Sequence, residues 1–146
     1  MASKETLAQL IRLARSASDA AARALGVEQT REREENGKLE LLVAYRKEYL
    51  ARFEAAARAG LDGRGLANYR EFMQRLEEAV AQQRDHLAAH RRAVEKCRGE
   101  WQSAHGRLKS FDTLDERRRR GERLEARRRD QRRTDEQAAR KRPQDE

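Results

Sequence analysis

From Leu66 to Phe111 an apolar position returns every seven residues without a break. One seam set is Leu66, Met73, Val80, Leu87, Val94, Trp101 and Leu108; the other is Tyr69, Leu76, Gln83, His90, Cys97, Ala104 and Phe111. Alternating steps of three and four residues keep one stripe of a helix facing a partner helix, and so many heptads imply a left-handed supercoil. A helix of this length extends roughly 70 Å at ~1.5 Å per residue, so the expected shape is a rod.

Composition restricts the alternatives. With 41% charged and 37% hydrophobic residues, the 146-residue chain has apolar side chains enough for a stripe but not for stacked core layers. Its one proline, Pro143, lies at the far end, and glycines cluster at Gly60, Gly63 and Gly65. Two long helices and one turn are therefore expected. Gly60 suits a left-handed helix cap, with Gly63 and Gly65 as bends after it. The predicted fold class is all-α, a long two-helix antiparallel coiled-coil hairpin. Its segments are a first helix over 2–58, a turn over 59–66, a second helix over 67–139 and a disordered tail over 140–146.

Along the first helix, Leu7, Leu10, Ala14, Ala17, Ala21 and Ala24 keep the three-and-four spacing, whereas EQTREREENGK, from Glu28 to Lys38, offers no apolar seam. A continuous but looser helix is expected there, weakened by Gly37. Between Leu39 and Ala57 two apolar stripes coexist, Leu39, Val43, Leu50 and Phe53 on one and Leu42, Tyr45 and Tyr49 on the other. They are displaced by about 100° and cannot both face one partner. Phe72 and Ala79 add a similar surplus to the second helix, and both surpluses lie near the turn, which predicts an exposed apolar patch. Beyond Phe111 only Leu114 and Leu124 keep a trace of the repeat, and the helix is expected to fray or stand alone.

No phosphate-binding glycine loop, CxxC, HExxH or GxSxG motif is present, so neither catalysis nor a cofactor is expected. His86 and His90 have the spacing of two ligands on one helical face, but no third ligand is near; a polar seam residue that fixes register is the better reading of His90 and of Gln83. Cys97 lies in the seam and no internal disulfide can form, which with the lack of a long apolar run predicts a soluble cytoplasmic protein. The formal charge of +8 raises nucleic acid as a partner. Acidic side chains interleave with the arginine runs Arg117 to Arg120 and Arg127 to Arg129, however, and mixed signs favour an acidic protein surface. A basic nucleic-acid-binding rod remains the rival.

The segment LELLVAYRKEYLARFEAAARAGLDGRGLANYREFMQRLEEAVAQQRDHL, Leu39 to Leu87, resembles the FliJ family, small coiled-coil components of the bacterial flagellar type III export apparatus. Tyr45, Glu48 and Tyr49 joined to Asn68, Tyr69, Phe72, Leu76, Glu77 and Ala79 form its most specific part. The likeness extends through DAAARALG at Asp19 to Gly26, RLKSFDTLDER at Arg107 to Arg117 and DQRRTDEQAAR at Asp130 to Arg140.

The resemblance implies a hairpin shaped like the rotary-ATPase γ-subunit stalk. It implies binding to the hexameric flagellar export ATPase, promotion of its assembly, contact with the membrane export gate protein and handling of export chaperones. That would hold the protein at the cytoplasmic face of the inner membrane through protein contacts alone, with no nucleic acid involved. The implied gate-binding residues are Lys38, Leu42, Tyr45, Tyr49, Phe72, Leu76, Ala79 and Gln83, nearly coincident with the surplus apolar stripe. Family members often carry glutamine at Lys38 and histidine at Gln83. For the ATPase, the family's paired terminal region directs attention to Leu7 to Leu25 with Leu108 to Ala139. There, charge selects Arg117, Arg118, Arg119, Arg120, Arg127, Arg128 and Arg129, with Leu114 and Leu124 as apolar contacts. The same architecture serves virulence type III secretion stalks, which stay open as an alternative.

Overall fold

The computed structural model describes residues 3–141, which form two helices, α1 (Lys4–Ala59) and α2 (Gly63–Lys141). Ser3 starts α1: its hydroxyl accepts the Thr6 amide at 3.1 Å and its carbonyl the Leu7 amide at 2.9 Å, satisfying donors that a helix start leaves free. Gly60 ends α1 with a φ of 101°, the left-handed conformation that a residue without Cβ enters cheaply. Asp62 then caps α2, its Oδ1 accepting the Gly65 amide at 2.7 Å.

The connection between the helices is thus the short run from Gly60 to Asp62. Gly63 and Gly65, expected as bends, sit instead in the first turn of α2, because the Asp62 cap starts the helix before them. Arg140 and Lys141, expected in a disordered tail, belong to α2, which is continuous past Phe111; the remainder of that expected tail lies outside the described residues.

The described residues divide into two compact units, Asp19–Gln102 and a second made of 3–18 with 103–141. Within Asp19–Gln102, Glu28 meets His90, Glu35 meets Gln83 and Tyr49 meets Tyr69. Each seven-residue advance on α1 is matched by a seven-residue retreat on α2, so the helices are antiparallel in one unshifted register. None of the fourteen seam positions proposed on α2 is exposed, and Leu76, Val80, Leu87 and Val94 are among the most buried side chains, Val80 at 1% exposure.

The seam of α1 differs from expectation. Its inward positions are Leu7, Ile11, Ala14, Ser18, Ala21, Leu25, Glu28, Glu32, Glu35, Leu39, Leu42, Arg46, Tyr49 and Phe53, none of them exposed. Ala17 and Ala24, assigned inward from sequence, are exposed, and Ile11, Ser18 and Leu25 take the inward places. The rhythm therefore does not fade at Glu28; glutamates occupy it for three positions. Nor do the stripes near the turn separate as expected, since Leu42 and Tyr49 share the seam with Leu39 and Phe53, leaving Tyr45 and Leu50 outside, each 44% exposed.

In the unit of 3–18 with 103–141, Leu7 and Ala14, each 6% exposed, anchor α1. Ala14 and Ala17 share a shallow groove with Ala104 and Phe111, where small side chains permit close approach. From Arg119 onward every described residue of α2 is exposed, although Arg119 and Arg123 still border a cleft with Lys4 and Ala8 of α1.

Candidate protein-interaction surfaces

Near the turn the register stacks aromatic rings. Tyr45, Tyr49 and Phe53 follow on α1 at steps of four, and Tyr69 and Phe72 answer from α2. Ring centroids lie 3.5 Å apart for Phe53–Tyr69, 4.3 Å for Tyr49–Phe72, 5.5 Å for Tyr49–Tyr69 and 6.1 Å for Tyr45–Phe72. Five of the chain's seven aromatic residues are in this cluster, which concentrates apolar area with specific ring geometry in a chain otherwise poor in both. Burial in the stack, and then the neighbouring Tyr49 and Glu54, push the Tyr69 phenol above its usual value. Arg46 reaches across to Glu77 at 3.0 Å beside the cluster.

The eight residues expected at the gate fall into two groups. Lys38, Leu42, Tyr45 and Tyr49 follow steps of four, three and four on α1, and Phe72, Leu76, Ala79 and Gln83 repeat those steps on α2. Leu42, Tyr49, Leu76 and Gln83 occupy seam positions. Leu76 is 6% exposed, and Gln83 turns inward, its Nε2 donating to the Glu35 carboxylate at 2.6 Å and carbonyl at 2.9 Å. Lys38, Tyr45, Phe72 and Ala79 lie on one flank of the seam and form the accessible part, with Lys38 held by Glu35 at 3.1 Å. The aromatic surface is thus a flank resting on a seam, and Phe53 and Tyr69 extend it beyond the eight.

Sequence reasoning missed the carboxylates of the adjoining seam. Glu28 Oε2 lies 3.6 Å from His90 Nδ1, and Glu32 Oε1 lies 3.5 Å from Arg91 Nε. Hydrogen bonds from Gln83 and then Lys38 hold the Glu35 carboxyl below its ordinary range. The signal lies in the steps of four and three separating residues 28, 32, 35 and 39, which hydrophobicity does not reveal because three of the four are glutamates. His86 is exposed, and no cluster of three or more metal-ligating side chains occurs among the described residues.

In the other unit, the expected ATPase-binding residues lie on the exposed end of α2. Asp115, at 20% side-chain exposure, accepts from Arg118 at 3.0 Å and from Arg119 at 3.2 Å; Arg118 also reaches Glu122 at 2.7 Å, and Arg120 reaches Glu116 at 2.8 Å. The Asp115 hydrogen bond, aided by Glu122, raises the Arg118 pKa further above its usual value. Such pairs three and four residues apart support a helix that has no apolar face. Arg117, Leu124, Arg127, Arg128 and Arg129 share this exposure, Leu124 at 50%.

A heptad seam with polar middle layers and two exposed faces, one aromatic and one arginine-rich, defines the class: an all-α coiled-coil hairpin. Among the described residues no helix is long and apolar enough to cross a membrane. Residues 3–143 match the family model of the Flagellar FliJ protein. The chain is 32% identical over 140 residues to the flagellar FliJ protein of Escherichia coli strain K12, covering 96% of this chain and 95% of that protein. It is 31% identical to the Salmonella typhi flagellar FliJ protein with the same coverage. The chain belongs to the flagellar FliJ protein family.

Proposed function

We propose that this protein is a non-catalytic stalk of the flagellar type III export apparatus that bridges the export ATPase hexamer and the membrane export gate. Family membership supports the setting, and the observation that carries the gate reading is the aromatic flank. Tyr45 is 44% exposed yet lies against Tyr49 and Phe72, an amphipathic anchor already ordered before any partner arrives. The gate-binding residues are Lys38, Leu42, Tyr45, Tyr49, Phe72, Leu76, Ala79 and Gln83, with the first helix's Tyr45 at the point of contact and Leu76 and Gln83 acting from beneath. Arg117 to Arg120, Leu124 and Arg127 to Arg129 bind the ATPase ring and promote its assembly, meeting carboxylates of the ring lumen. Export chaperones are the third partner, and the protein works in the cytoplasm at the inner membrane through protein contacts.

The test is binding of the full chain to purified export ATPase and to the cytoplasmic part of the gate. Truncation after Leu114 is expected to abolish ATPase binding and stimulation while preserving gate binding. Tyr45→Ala is expected to weaken gate binding by about 2 kcal/mol, the loss of one anchor, with only a small fall in unfolding temperature, since the residue is 44% exposed and rests on Tyr49 and Phe72 at the edge of the cluster. Undiminished gate affinity in Tyr45→Ala would remove the flank from the interface.

A further inference from the structure

The positions beside a coiled-coil seam carry a second layer of information. Opposite charges ordinarily face one another there and select partner and orientation. In the Asp19–Gln102 unit the flank opposite the aromatic one places Arg84, Arg91 and Arg98 on α2, one arginine in each of three successive heptads and all three exposed, with Glu77 at the same position one heptad earlier. Across from them α1 brings amides, Gln29 and Asn36, and Arg33 joins Gln29, Glu32, Asn36, Arg91 and Arg98 around one open cleft. Carboxylates reach this row only from the side. Glu32 is a seam residue 3.5 Å from Arg91, and Glu95, on α2 itself, lies 3.9 Å from Arg98. Asn36 donates its amide to Glu40 on its own helix. The α1 flank positions that face the row, Gln29 and Asn36, are neutral, and the carboxylates that meet Arg91 and Arg98 come from a seam residue and from α2 itself.

We propose that this flank docks a helical segment of a partner protein that carries a carboxylate at every seventh residue. Arginines seven residues apart along a helix stand about 10.5 Å apart, and acidic residues at heptad spacing on an incoming helix meet them one for one. Guanidinium groups suit that role because they bind carboxylates in a bidentate, directional way. A nucleic-acid strand presents a charge every ~3.4 Å, which this sparse row does not match and which Glu32 and Glu95 repel. The neutral amides of Gln29 and Asn36 let a third helix approach without repulsion. This surface is separate from the aromatic flank and from the arginine-rich end.

The probe is a synthetic helical peptide of about three heptads with glutamate at three equivalent positions, compared with the same peptide bearing glutamine there. Both are titrated against the full chain. Wild type is expected to prefer the glutamate peptide by about tenfold, a difference of ~1.4 kcal/mol. Arg84→Gln, Arg91→Gln and Arg98→Gln together are expected to erase the preference. The same three changed to Lys retain part of it, while Arg92→Gln with Lys96→Gln, at outer positions of the same helix, retain all of it. The arginine-rich end is common to every variant, so the difference reports the flank, and circular dichroism confirms that these exposed substitutions leave the helices intact. A preference that survives the triple glutamine variant, or none in wild type, overturns the proposal. So does a triple variant that loses affinity for a short DNA duplex while keeping its preference for the glutamate peptide.

Discussion

Two glycines, one inside α1 and one just past its end, pose opposite problems. Gly37 lies within α1, where an added Cβ meets nothing within 4 Å, so Gly37→Ala removes backbone freedom from the unfolded chain without strain. It is expected to raise stability by about 1 kcal/mol. Gly60 also has space around it, but its φ of 101° is costly for any residue with a Cβ, and Gly60→Ala is expected to lower stability by about 1–2 kcal/mol. Urea unfolding of both variants checks the pair; equal signs would mean that backbone conformation does not govern the cap. At Glu35 the issue is protonation. Its folded-state pKa is depressed, chiefly by Gln83, so its contribution is present above the ordinary value of 4.5 and is lost as pH falls through the lower folded value. The stability gap between wild type and Gln83→Leu is therefore expected to narrow below pH 4.5, and a gap constant from neutral to strongly acidic solution would contradict this.

Among the elements, α2 was legible in the sequence and α1 only in part. Apolar residues mark most of α2's seam, so counting sevens found its positions from Leu66 to Phe111; beyond them Leu114 and Leu124 prove exposed, and the charged Asp115 and Arg118 continue the half-buried steps. In α1 the seam passes through Glu28, Glu32 and Glu35, where hydrophobicity gives no signal and geometry alone continues. The inward places of Ile11 and Ser18 were missed because small alanines sit on two neighbouring phases and cannot choose between them. The aromatic flank was foreseen as an exposed apolar patch, but its stacking partners Phe53 and Tyr69 depend on register, which becomes fixed only when both helices are considered together. The polar layers suggest a further experiment. Replacing Glu35 and Gln83 together by leucine exchanges a half-buried polar pair for apolar packing, and stability is expected to stay level or rise by ~1–4 kcal/mol. The cost is expected in uniqueness, as mixed registers or chain association seen by analytical ultracentrifugation and cysteine cross-linking. A lower stability in the double variant would show that the polar pair contributes more than leucine packing can.

For the whole molecule, charge is distributed very unevenly. Residues 117–141 hold twelve basic and five acidic side chains, a surplus of seven out of the formal +8, so the rest of the chain is nearly neutral. An ATPase contact made by this end and a gate contact made by aromatic rings should respond differently to salt. Raising ionic strength from about 0.1 M to 1 M shortens the screening length from ~10 Å to ~3 Å, and is expected to release the ATPase while leaving gate binding nearly unchanged. Equal salt sensitivity of the two would assign the arginines no special part in ATPase binding.

The unshifted register of the Asp19–Gln102 unit also bears on how such a hairpin can change length. Removing one residue from either helix would rotate everything beyond it by about 100° out of the seam, and removing seven from one helix alone would set glutamates against the wrong partners. A cut of residues 22–28 together with 90–96 deletes the Glu28–His90 layer from both sides, brings Arg98 into the place of Arg91 opposite Glu32, and leaves the remaining layers in phase. Length in this unit is therefore quantised in matched heptads, and evolution by insertion and deletion must proceed as with a zip fastener, where teeth are lost from both tapes or the slider jams.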